Sequence, residues 1–178
     1  HEPEAYADFE RHVVDALPDE PVDAVGFSLG ARTLLTIAVD HPDRFHRIVV
    51  AGVGANLFER DAERGRLIAD AIAGDGDLDD PTARYFSQLA DAPDIDRQAV
   101  AAFLRRSGPE FPADRLDHIT CPVLVVLGDQ DFAGPADPLM DALPDARLLT
   151  LRNVDHFATP KAFAFLDATL EFLDAVPG

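Results

Sequence analysis

Apolar positions along this chain follow two rhythms. Short runs at 22–27, 47–53, 122–127 and 146–151 are nearly unbroken and read as buried strands. Between them lie stretches with helical spacing. Residues 5–17 place Tyr6, Phe9, Val13 and Leu17 on one face, and Pro18 to Pro21 end that helix. Residues 30–41 form a second, closed by His41-Pro42-Asp43. A last helix is expected to start at Thr159-Pro160 and to bury Phe163, Leu166, Leu170 and Leu173. Continuous apolar strands separated by helices predict an α/β fold. It is a parallel sheet of about four strands, flanked by helices on both faces.

The second and third strands are unusually far apart. Residues 56–118 hold three helical segments, 57–73, 81–91 and 95–106, broken by Gly74-Asp75-Gly76-Asp77 and Ala92-Pro93. The expectation is one domain over 1–178, with 56–118 inserted as a helical lid. Strand 22–27 is expected at an edge of the sheet, where it offers a pairing surface.

Composition narrows the class. Of 178 residues, 47% are hydrophobic, which suits a packed core and excludes disorder. No apolar run is long enough to span a membrane. The chain opens on His1 without a signal-peptide pattern, so it reads as processed or as part of something longer. The single cysteine, Cys121, excludes an internal disulfide, reads as a small buried residue and fits a cytoplasmic location. A net charge of -18 should repel nucleic acid and anionic lipid. Asp outnumbers Glu and Lys161 is the sole lysine, a pattern of a GC-rich genome or of a high-salt surface.

The chemistry concentrates at strand ends. Gly26-Phe27-Ser28-Leu29-Gly30 joins the first strand to its helix by a sharp turn with serine at the apex, the nucleophile-elbow pattern. Both glycines are expected to make room for that turn. Gly128-Asp129-Gln130-Asp131 follows the third strand, and Asn153-Val154-Asp155-His156 follows the fourth. In a parallel sheet these loops leave from one carboxyl edge, so topology alone gathers them. Histidine can take a serine proton near neutral pH, and a carboxylate can hold the imidazole, Asp129 and Asp131 both being in place to do so.

The elbow, Ala51-Gly52 at the end of the second strand, the run Pro122 to Asp131 with Pro135 beyond, and Asp155-His156 with Pro160 following together resemble the α/β-hydrolase fold superfamily. They cover nearly all of the chain outside 56–118 and match its C-terminal part. The resemblance implies a serine hydrolase acting on a carboxylic ester or related acyl compound. It implies Ser28 as nucleophile, His156 as base and Asp131, at the last position of its tetrad, as acid partner. Leu29 N–H then supports the oxyanion. The family's second oxyanion donor lies on a loop after its third strand, which this chain lacks. A small apolar acyl substrate would meet Phe27, Phe132 and Phe157, with Tyr85, Phe86 and Phe103 from the lid; no cofactor or metal is implied. C–C bond hydrolysis, lactone opening and perhydrolysis share the triad. The absent donor motivates another class, a non-catalytic fragment or interaction domain of a hydrolase.

Other features read as structural. Asp75, Asp77, Asp79 and Asp80 miss the glycine and glutamate of a calcium loop. Gly52-Val53-Gly54 lacks the third glycine of a dinucleotide site. His12, His41, His46 and His118 read as structural or surface residues, Asp155 as a turn residue, and Arg84, Arg105 and Arg106, which could meet a substrate carboxylate, as solvated charges offsetting an acidic surface.

Overall fold

The computed structural model describes residues 1–59, 62–106 and 110–175. It forms two compact units: residues 1–12 with 61–110, and residues 13–60 with 111–178, the first boundary falling inside helix α1 (Phe9–Ala16).

The larger unit is the sheet. Strands β1 (Val22–Phe27), β2 (Phe45–Ala51), β3 (Val123–Gly128) and β4 (Ala146–Leu151) lie side by side in chain order, all parallel. β1 and β4 are therefore the edges, and all six residues of β3 are buried. Successive side chains on a strand point to opposite faces. Ile48, Val50, Val123 and Val125 accordingly pack with Leu35 and Ala38 of α2 (Leu29–Asp40). Val49, Ala51, Leu124 and Val126 pack on the other face with Phe165 of the last helix. Each fully buried aliphatic side chain contributes about 1.5–3 kcal/mol, so the two layers hold the strand ends in a fixed frame.

The smaller unit packs α3 (Ala62–Ala73), α4 (Pro81–Leu89) and α5 (Arg97–Arg105) around Ile72, Ala90 and Ala101. Asp80 caps α4 by accepting from Ala83 N–H, and Asp96 caps α5 by accepting from Ala99 N–H. Arg97 donates to the carbonyls of Ala71 and Ile72 and to Ser87 Oγ, which satisfies the open end of α3 and ties it to α4. Among the described residues, no helix is long and apolar enough to cross a membrane.

Several boundaries move. The expected helix 5–17 is a 3₁₀ turn, Pro3–Tyr6, followed by α1. β2 begins two residues early, because Val22 pairs with Phe45 across an irregularity in the register. It stops before Gly52, whose φ of 68° turns the chain out of the sheet. A short helix, α6 (Asp137–Ala142), precedes β4. Thr159 caps nothing: its hydroxyl donates back to Asp155 O, Thr159–Lys161 is a 3₁₀ turn, and α7 (Phe163–Phe172) starts beyond it. The buried side of α7 carries Phe165 and Thr169, whereas Phe163 is 81% exposed and Leu166 and Leu170 are exposed with it. Arg106 is not a solvated charge; it pairs with Glu10 and lies over the rings of Phe9 and Phe103.

Candidate active site

Ser28 owes its position to β1 and α2. Its N–H continues the sheet by donating to Ala51 O, 2.8 Å away, and its carbonyl accepts the first helical bond from Arg32 N–H. A serine at this N-cap would ordinarily bond its hydroxyl to the first turn. Here φ is 51° and ψ −110°, and no side-chain cap forms. The hydroxyl is turned away from the helix and left for another partner. Gly26 makes the turn possible: a Cβ there would stand 2.7 Å from the backbone of Gly30 and Ala31. Gly30, expected to be needed for the same reason, has open space where its Cβ would go.

Ser28 Oγ meets His156 Nε2 at 3.0 Å. His156 Nδ1 lies 3.0 and 3.1 Å from the two carboxylate oxygens of Asp131. Asp131 Oδ1 also accepts from Ala133 N–H at 2.8 Å. An ionised carboxylate can only accept, so Nδ1 carries the proton and Nε2 offers its lone pair to the serine O–H. Both side chains are sealed from water, His156 at 2% exposure and the Asp131 side chain at 0%. Asp129 takes no part in this line; its carboxylate turns to Asn153 N–H.

Aromatic rings enclose the imidazole. Phe27 stands 4.8 Å from it and Phe132 4.3 Å, both tilted by less than 40°, and Phe157 meets it edge-on at 5.6 Å. Phe132 and Leu29 are about two-fifths exposed, which leaves apolar surface beside the serine. Leu29 is the first residue of α2, so its N–H has no intrahelical acceptor. Tyr85, Phe86 and Phe103 belong to the helical unit. Tyr85 packs edge-on against Phe86, Phe86 lies on the Ile72–Ala90–Ala101 cluster, and Phe103 packs with Tyr6 and Phe9.

Asp155 is a turn residue, accepting from Ala158 N–H. His46 and His118 are exposed, and His41 follows the last residue of α2. Cys121 is buried, and burial pushes its thiol pKa up. Sequence reasoning placed Phe27, Phe132 and Phe157 at the site but missed their packing on the imidazole, and it missed the bond from Asn153 to Asp129. Only the Phe before Ser28 and those after Asp131 and His156 hinted at the first.

Serine, histidine and aspartate thus stand together at the carboxyl ends of three strands of a parallel sheet covered on both faces. The sequence model of the alpha/beta hydrolase family matches residues 1–171, and the chain belongs to that family. Solved structures agree on the fold. A hydrolase from Pseudomonas aeruginosa PA01 superposes with a TM-score of 0.70 at 22% identity, over 97% of this chain and 72% of its own. The enol-lactonase from Burkholderia xenovorans LB400 gives 0.65 at 20%, over 98% and 74%. A marine microorganism esterase gives 0.63 at 20%, over 97% and 77%.

Proposed function

We propose that this α/β-hydrolase cleaves carboxylic esters or lactones through Ser28, His156 and Asp131. The observation that carries the reading is the unbroken hydrogen-bonded line from Ser28 Oγ through the imidazole to the buried Asp131 carboxylate. Ser28 Oγ attacks the carbonyl carbon while Nε2 takes its proton. The imidazolium so formed is stabilised by Asp131, and Leu29 N–H supports the oxyanion. Collapse of the tetrahedral adduct expels the alkoxide, which takes the proton from Nε2. Water then gives a proton to Nε2 and attacks the acyl-enzyme; collapse of this second adduct breaks the bond to Ser28 Oγ, which takes the proton back from Nε2 as the acid leaves. The exposed faces of Phe132 and Leu29 favour an apolar acyl group. An esterase and an enol-lactonase among the structural neighbours fit the same acyl–oxygen chemistry.

A panel of p-nitrophenyl esters of increasing acyl length tests the reading. Wild-type turnover should exceed that of Ser28→Ala by at least about 10³-fold. Equal turnover in the two proteins would overturn it.

A further inference from the structure

The acid loop after β3 and the histidine loop after β4 run backbone against backbone. Gly128 marks the contact: a Cβ there would lie 2.0 Å from Val154 O. Besides the contact of His156 with Asp131, three hydrogen bonds stitch the loops together. Asp129 N–H donates to Leu151 O at 3.0 Å and Gln130 N–H to Val154 O at 3.1 Å. Asn153 N–H donates to Asp129 Oδ1 at 2.7 Å. The first two bonds use backbone groups that any residue supplies. The third depends on one side chain.

That third bond falls at the turn that aims His156. Asn153 has φ of 57°, a left-handed conformation that asparagine tolerates better than most residues. The chain reverses there and reaches His156 three residues later. We propose that Asp129 is a positioning residue: its carboxylate fixes the Asn153 turn and thereby holds the His156 ring between Ser28 and Asp131. Asp131 accepts from the imidazole itself, so the two aspartates of the tetrad divide the work. One holds the ring and the other holds the loop that carries it.

The length of the side chain is part of the inference. Asparagine keeps an oxygen where Oδ1 now stands, and alanine has none. A ring misplaced by about 1 Å can cost on the order of 10² in rate, and a loop that keeps its two backbone bonds and the His156–Asp131 contact should move by less than that. The inference rests on the proposed role of His156. Asp129→Ala should therefore lower kcat by about 10-fold with KM changed less than about 2-fold. Asp129→Asn should stay within about 3-fold of wild type. Proton NMR supplies a readout independent of turnover. The downfield Nδ1–H resonance shared with Asp131 should be present in wild type and Asp129→Asn, and broadened or lost in Asp129→Ala. If no ester is turned over, the catalytic reading fails, and the resonance still decides the positioning role. An unchanged resonance and kcat in Asp129→Ala would overturn the inference. So would Asp129→Asn as impaired as Asp129→Ala, or a lowered melting temperature in both with kcat intact.

Discussion

Ser28 sits in a backbone conformation that a residue with a side chain avoids, and its strain can be weighed by replacing it in two ways. With φ 51° and ψ −110°, a non-glycine residue costs about 1–3 kcal/mol. Ser28→Ala keeps that strain and loses the bond to His156 Nε2, worth about 0.5–1.5 kcal/mol net. Ser28→Gly loses the same bond and releases the strain. It also gives the unfolded chain more freedom, which costs about 0.4–1 kcal/mol. The lost bond cancels between the variants, so Ser28→Gly should be more stable than Ser28→Ala by about 0.5–2 kcal/mol. For a chain of this size that is a melting-temperature gap of roughly 1–8 °C, since about 1 kcal/mol moves the midpoint by 2–4 °C. Urea titration should show the same order in midpoint with equal slopes. Both variants should be inactive. An alanine variant as stable as the glycine variant would refute the claim that the elbow stores strain to free the hydroxyl.

The other expectations are briefer. Asp131→Asn should lower kcat by about 10³–10⁴ while the chain stays folded, because an amide no longer fixes the proton on Nδ1; activity within about tenfold of wild type would contradict the assigned tautomer. Phe163→Ser should change stability by less than about 0.5 kcal/mol, since the ring is 81% exposed. Phe165→Ala, from a ring 7% exposed in the sheet-facing core, should cost about 3–5 kcal/mol; equal losses in urea would mean the face of α7 is misassigned. The raised pKa of Cys121 keeps the thiol protonated. Its reaction with a disulfide reagent should be at least about 100-fold slower in the folded chain than in guanidinium, and comparable rates would contradict its burial.

The strands were legible because runs such as Val123 to Gly128 are apolar at every position and end at Pro or Gly. Pro122 opens that run and Gly128 closes it. The last helix was less legible for a physical reason. Its apolar residues spread over more than half its circumference, so spacing alone could not say whether Phe163 or Phe165 faces the sheet. Thr159-Pro160 has the residues of a helix start, yet the Thr159 hydroxyl was already engaged by Asp155 O. Ser28, Asp131 and His156 could be singled out because parallel topology puts three loops at one edge. The bond between Asp129 and Asn153, and the rings of Phe27 and Phe132 over His156, could not. They depend on the path of two loop backbones, which no periodicity encodes.

The central claim is that Ser28 is an activated nucleophile. A fluorophosphonate applied to the folded protein, followed by peptide mapping, tests it most directly. The account predicts a single adduct on Ser28, absent from Ser28→Ala and slowed at least about 100-fold in His156→Ala, where the base is gone. An unmodified Ser28 after saturating exposure of the folded wild-type chain would contradict it.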